Sequence, residues 1–409
     1  MADPVMVIFG AGKIGRSFIG QLFGRAGYEL VFVEVHEPLV RELNRRGTYP
    51  VITRAPDHEE RLVIEKVSAI HTGDPPGITD AITRAEIMAV CVGKDALAST
   101  APLVAKGLVE REKHHPGKQL DIILAENMRD AASFFREMLG RSLPPLFPLD
   151  QTVGLVETSI GKMVPIMTAR DLEEDPLQVF AEPYNTLILD KKGFRGTIPD
   201  VEGLSLKENM KAWVDRKAFI HNLGHASAAY KGYYEHPEAT YMYEVLDDPE
   251  IIRFTREVMA QSADILLEEY PDAFTREDLS GHIDDLLARF RNRNLGDTVF
   301  RVGHDLTRKL GKNDRFMGII RLAVRTTKPF DRILEAMTMG LFFRAGDENG
   351  QMFPGDVAFH EFFKNDPDML LKEICGSSVG REKDLPAEIT GIYNVLAKKQ
   401  KTAAGNEIH

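Results

Sequence analysis

The apolar run Val5–Phe9 leads directly into Gly10-Ala-Gly12-Lys13-Ile14-Gly15, and Ile14, Phe18, Leu22 and Phe23 then recur at helical spacing up to Gly27. Few folds place a strand, a glycine turn and a helix in that order. In a dinucleotide-binding unit the first glycine permits the tight turn. The second lets backbone approach a pyrophosphate, and the third lets helix and strand pack closely. The helix N-terminus then offers free N–H groups and a partial positive charge to the phosphates. A second apolar strand, Leu30–Val35, carries Glu34 near its end, 19 residues beyond Gly15. A carboxylate there accepts hydrogen bonds from the adenosine ribose hydroxyls and repels a 2′-phosphate, so the cofactor expected is NAD rather than NADP. A flavin fits the same glycine pattern and ranks below it. Lys13 and Ile14 within the turn, with Val92 at the end of the run Glu86–Val92, complete the expected cofactor-binding set.

The rest of the first half alternates short apolar runs with helical patterns, as a parallel sheet with crossover helices does. Arg61–Val67, Glu86–Val92 and Asp121–Ala125 are predicted strands, and Leu155–Val164 and Thr186–Leu189 extend the sheet. Around Gly203 the pattern changes to amphipathic segments of helical period, predicting helices over Ala212–Tyr230, Pro249–Glu269, Thr275–Arg291, Asp314–Thr326 and Phe330–Arg344. The expected fold class is therefore an α/β, doubly wound N-terminal domain followed by a mostly α-helical C-terminal domain. The expected bounds are 1–200 for the NAD-binding domain, 201–398 for the helical substrate domain and 399–409 for a polar, frayed tail.

Hydride transfer from an alcohol needs a base for the hydroxyl proton and donors for the developing alkoxide. Zinc supplies both in some enzymes. This chain, however, has only Cys91 and Cys375 and no His/Cys set at zinc-ligand spacing, so no metal is assigned. The segment Asp215–Ala226 offers another solution. On a regular helix Lys217, Asn222 and His225 fall at about 0°, 140° and 80°, with His221 at about 40° between them. A lysine in a water-poor site loses enough basicity to act near neutrality, and an amide and an imidazole beside it can orient substrate oxygens. Taken singly, each residue reads better as a solvated lysine or a satisfied core histidine. The triple in a dinucleotide-binding chain reads as chemistry. Asn127, just past the strand Asp121–Ala125, sits where ligands of doubly wound sheets bind, and it reads either as an alkoxide-stabilising amide or as a turn residue.

The segment Arg301–Arg315 holds five basic residues against two acidic ones in a chain of net charge −11. Such a cluster suits a phosphate or carboxylate on the substrate, although charge runs more often end as solvated faces or ion pairs. The overall acidity disfavours nucleic acid and anionic membranes as partners. No stretch approaches the ~20 apolar residues of a membrane span, and the start Met-Ala-Asp-Pro is unlike a signal peptide, so a cytoplasmic protein is expected.

Taken together, Phe9-Gly-Ala-Gly-x-Ile-Gly-Arg-x-Phe-Ile-Gly20, Glu126-Asn127-Met128, Lys217-x4-Asn222-x2-His225, Arg289-Phe-x-Asn292, Arg301-Val-Gly303 and Arg308-Lys-Leu310 resemble, in order, the polyol-specific long-chain dehydrogenases of the mannitol dehydrogenase family. The resemblance runs over nearly the whole chain. It implies a Rossmann-type domain, a helical domain, an active site in the cleft between them and a metal-independent mechanism with Lys217 as general acid/base. It further implies that Asn127 and Asn222 flank the reacting oxygen, that His225 orients substrate, and that Arg301, Arg308 and Lys309 contact the polyol chain or its phosphate. Where the family carries an Asp-Arg pair, this chain has Gly161-Lys162.

Within the family the likeness is greatest to the branch that interconverts D-mannitol 1-phosphate and D-fructose 6-phosphate with NAD, acting as a monomer or weak dimer on a small sugar phosphate or polyol. The rivals are a free-polyol 2-dehydrogenase, a tagaturonate or fructuronate reductase, a β-hydroxyacid dehydrogenase and a non-catalytic NAD-binding sensor.

Overall fold

The computed structural model describes residues 3–126, 128–376 and 380–406. The chain forms two compact units, Met1–Val214 and Asp215–His409.

The first unit is built on strands β1 (Val5–Phe9), β2 (Glu29–Glu34), β3 (Tyr49–Arg54), β4 (Glu59–Ile64), β5 (Val67–His71), β6 (Ile87–Val90), β7 (Leu120–Leu124), β8 (Val153–Ser159), β9 (Val179–Ala181), β10 (Leu187–Asp190) and β11 (Leu204–Lys207). Eight of them form one sheet in the order β11-β10-β8-β7-β6-β1-β2-β5. The pairs from β5 across to β8 are all parallel, and β10 runs antiparallel to β8. Counted along the chain, the six parallel strands lie in the order 3-2-1-4-5-6, which is the Rossmann arrangement. Its strand order reverses between β1 and β6, so the carboxyl ends of those two strands flank the crevice where such sheets bind ligands.

Apolar runs without polar alternation form these strands because both faces of the sheet are covered. Met6, Ile8, Leu30 and Phe32 point into one core, and Val5, Val7, Phe9, Val31 and Val33 into the other. Each fully buried side chain of this size stabilises the fold by about 1.5–3 kcal/mol.

Several sequence expectations need correction here. Arg61–Val67 is not one strand of the main sheet. Lys66 adopts φ 57° and turns the chain between β4, which pairs antiparallel with β3 in a separate three-stranded sheet, and β5 in the main sheet. The strand expected over Leu155–Val164 stops at Ser159, and residues 160–168 have no regular structure. Just past Gly203, β11 pairs with β10 in the main sheet, and the two units divide at Val214. Lys399–Asn406 lie in the last helix, Leu385–Asn406.

The second unit is helical. Its long helix Pro249–Glu269 starts with Pro249 in its first turn and Asp248 accepting the Glu250 amide. Ile251, Phe254, Val258, Met259, Ile265 and Leu266 bury one stripe of it. That stripe packs on the helices Leu223–Glu235, Arg276–Phe290, Arg315–Thr326 and Asp331–Met339. No helix among the described residues is long and apolar enough to cross a membrane.

Candidate active site

At the carboxyl end of β1 the three glycines of the turn differ in what surrounds them. Gly10 has φ +93°, and a Cβ on it would lie 2.6 Å from the Cys91 carbonyl oxygen. A Cβ on Gly15 would lie 2.0 Å from the carbonyl oxygen of Gly10. Both positions are closed by the protein's own backbone. A Cβ on Gly12 meets nothing within 4 Å, so its smallness serves no intramolecular contact. Lys13 is exposed beside it, and Ile14 is partly buried against the core.

Glu34 ends β2 and reaches back to the turn. Its carboxylate accepts the Ala11 amide at 2.8 Å and the Val35 and His36 amides at 2.9 and 3.0 Å. An ionised carboxylate has about four acceptor positions, so these bonds fix its place and leave capacity for a further donor. Val35 next to it is an exposed apolar side chain. Across the crevice, Val92 packs partly buried before Gly93, whose amide donates to the buried Glu126 carboxylate at 2.9 Å. Burial raises the Glu126 pKa, opposed by backbone hydrogen bonds from Gly93 and Val92. Asn127 lies outside the described residues.

The helix expected over Ala212–Tyr230, most of which belongs to the second unit, is not uniform. Met210–Arg216 is α-helical, Lys217–Asn222 is one π-helical turn, and Leu223–Glu235 is α-helical again. A π turn bonds i to i+5, the spacing between Lys217 and Asn222. The two residues, about 140° apart on a regular helix, therefore come toward the same side. The widened turn is held by Ser262, whose hydroxyl donates to the Phe219 carbonyl at 2.5 Å, and by Arg315, which donates to the Asn222 carbonyl at 3.2 Å.

Lys217 keeps some surface open, yet its pKa falls to about 8, first because burial strips water from the ammonium and then because of the Arg315 charge. His221 and His225 are both pushed well below the usual imidazole range, mainly by burial. Both are therefore neutral near pH 7. His225 stacks on Phe290 with ring centroids 4.3 Å apart and planes within 4°.

The basic cluster is less cationic than its sequence. Arg301 pairs with Asp297, Arg308 with Asp305 and Asp314, and Arg315 with Asp314. Lys309 is buried and donates to the Val302 carbonyl at 2.6 Å, and burial together with Arg315 lowers its pKa to about 7. Arg301, Arg308, Lys309 and Arg315 thus share a neighbourhood with the Lys217–His225 segment, and Arg301, Lys309 and Arg315 all act on His225 electrostatically. Two residues escaped sequence reasoning: Asp297, one helical turn before Arg301, and Arg315 as a partner of the π turn. Lys162, the second residue of the Gly161-Lys162 pair that departs from the family pattern, is buried in the first unit and donates to Gln21 at 3.1 Å and Asn185 at 3.0 Å.

A family model of the mannitol dehydrogenase Rossmann domain matches residues 4–203, and one of the mannitol dehydrogenase C-terminal domain matches residues 209–389. The chain is 34% identical over 313 residues to a mannitol-1-phosphate 5-dehydrogenase of Bacillus pumilus (strain SAFR-032), covering 76% of this chain and 81% of that one. It is 32% identical over 317 residues to the enzyme of the same name from Geobacillus stearothermophilus, covering 76% and 80%. Among solved structures, the mannitol 2-dehydrogenase of Pseudomonas fluorescens in ternary complex with NAD and D-mannitol shares the fold, with TM-score 0.74 over 100% of this chain and 94% of that one at 14% identity. The chain belongs to the mannitol dehydrogenase family of oxidoreductases.

Proposed function

We propose that this enzyme interconverts D-mannitol 1-phosphate and D-fructose 6-phosphate with NAD, using Lys217 as the general acid/base. The observation that carries the reading is a lysine with its pKa brought to about 8 on a π turn that also presents Asn222. The open space over Gly12 and the anchored carboxylate of Glu34 fit a dinucleotide's pyrophosphate and ribose. When bound, the nicotinamide accepts the hydride in oxidation and returns it in reduction.

In oxidation, neutral Lys217 takes the proton of the reacting hydroxyl. The Asn222 amide donates to the oxygen as negative charge develops there, a role the family resemblance also gives to Asn127. In reduction, protonated Lys217 returns the proton to the carbonyl oxygen. His225 orients a neighbouring hydroxyl. Arg301, Arg308 and Lys309 supply charge for the phosphate, and the curated relatives' names support a phosphorylated substrate.

The test is a substrate panel with a base-deleted variant. Mannitol 1-phosphate should outrun mannitol and tagaturonate, measured by NADH absorbance. Lys217→Ala should lose about 10²–10⁴-fold in turnover at saturating substrate and cofactor. Near-wild-type turnover in that variant ends the assignment. A second variant tests the cofactor: Glu34→Ala should weaken NAD and narrow the preference over NADP, and an unchanged preference removes Glu34 from the ribose site.

A further inference from the structure

His225 and Asp297 form a pair that no sequence motif announces. Asp297 is 6% exposed and lies with one carboxylate oxygen 3.5 Å from Nε2 of His225, while its other oxygen pairs with Arg301. Nε2 is buried and makes no hydrogen bond among the described residues. The ring is flat against Phe290, and this stack fixes its plane. A half-turn about the Cβ–Cγ axis keeps the same plane but exchanges the edges that carry Nδ1 and Nε2. Stacking therefore cannot decide whether Nε2 or the carbon Cε1 faces the carboxylate. Only a polar partner can.

We infer that Asp297 is the positioning residue that decides it: the carboxylate holds Nε2–H of His225, leaving Nδ1 as the ring's acceptor for a substrate hydroxyl. The argument is one of inventory. A neutral imidazole carries one N–H and one lone pair, and an ionised carboxylate only accepts. The proton therefore belongs on the nitrogen that faces Asp297, whose other oxygen is paired with Arg301. The charges of Arg301, Lys309, Arg315 and Arg289 around the ring, together with its burial, all oppose an imidazolium. A contact of 3.5 Å is long for a hydrogen bond, and such contacts in unliganded sites commonly shorten when substrate binds. The consequence for recognition is specific. His225 accepts from a substrate hydroxyl instead of donating to a carbonyl, so it discriminates for a hydroxyl next to the reacting carbon. Through the shared carboxylate, its orientation is tied to that of Arg301.

This inference rests on the proposed function for the identity of the substrate, but its central claim does not need the reaction. Nitrogen-15 NMR of the histidine rings in the full chain, with the His225 signal identified by its loss in His225→Gln, reads the tautomer directly. The expected result is an Nε2–H ring in the wild type. In Asp297→Asn, whose amide can donate toward Nε2, the signal should move toward Nδ1–H. The same variant should raise KM or lower kcat for mannitol 1-phosphate by about tenfold, the size of one lost buried hydrogen bond, with NADH affinity unchanged. An Nδ1–H ring in the wild type overturns the inference, and so does an Asp297→Asn enzyme with the wild-type tautomer and wild-type kinetics. If Asp297→Asn does not fold, the wild-type tautomer still decides. Failure of the parent reading has a different signature, full turnover in Lys217→Ala, and leaves the tautomer result standing.

Discussion

Among the described residues two helices contain a π turn, and the two turns differ in what they hold. The first, Gly15–Gly20, opens the helix behind the glycine turn; the second, Lys217–Asn222, lies in the helical unit. A π turn adds a residue and releases a carbonyl from its usual amide, so a neighbouring donor must take it up. In both cases a hydroxyl from another element does so: Tyr49 donates to the Arg16 carbonyl at 2.9 Å, and Ser262 to the Phe219 carbonyl at 2.5 Å. The contents differ. Every side chain of the first turn is buried, and its one charged residue, Arg16, donates to the carbonyls of Ala11 and Leu177, each at 2.6 Å. The second ends in Lys217 and Asn222, both partly exposed, with the pKa of the lysine lowered to about 8. The first turn spends its polar groups on the fold, whereas the second leaves Lys217 and Asn222 partly exposed, as the proposed function requires.

The largest effect that would break this contrast comes from adding one methyl group at two places in the first region. Gly15→Ala drives a Cβ into the Gly10 carbonyl oxygen, a backbone atom that cannot step aside. It should destabilise the unit by about 1–3 kcal/mol and abolish measurable NADH binding. Gly12→Ala adds the same methyl in open space, so Tm should barely move while NADH affinity falls. Thermal unfolding and NADH fluorescence titration separate the two. If Gly12→Ala binds NADH as tightly as the wild type, the pyrophosphate does not approach there.

Next in size are the two hydroxyls. Tyr49→Phe and Ser262→Ala each leave a π-turn carbonyl without its donor, at a cost of about 1–3 kcal/mol measured by denaturant unfolding. Only Ser262→Ala should also lower kcat, because on the proposed function only the second turn aims reacting groups. Equal losses of kcat in both variants would erase the distinction.

How much of this was legible in the sequence follows from range. The glycine turn, the run Val5–Phe9 and the helix Pro249–Glu269 depend on neighbours within a few turns, and local pattern sufficed for them. The π turn did not show, because Ala218-Phe219-Ile220 is apolar on either period and only the hydrogen bonds from Ser262 and Arg315 reveal the extra residue. The pairing of β3 with β9, Val51 against Val179, joins segments far apart in the chain. The Arg301–Arg315 run read as strongly cationic because one of its neutralising partners, Asp297, lies just outside it. The Gly161-Lys162 pair stood out by sequence as a change from the family pattern, and only the structure shows that the Lys162 ammonium donates to Gln21 and Asn185.

The smallest effect sharpens what keeps Lys217 ready. Burial is the larger cause of its lowered pKa and Arg315 the second, so removing the guanidinium charge should raise it without restoring the ordinary value. On the proposed function oxidation needs neutral Lys217, so the rate should rise with pH through that pKa, and a higher pKa should move the acidic limb of the kcat profile upward. Arg315→Gln should shift the limb up by less than about one unit, lowering the rate at pH 7 while leaving the alkaline plateau far less affected. Lys309, held at about 7, feels the same charge and would move in the same direction. Repeating the comparison in a Lys309→Met background removes its contribution. A limb that stays put in that background means that another group carries the proton, whereas an upward shift there ties the profile to Lys217 and the π turn that Arg315 holds.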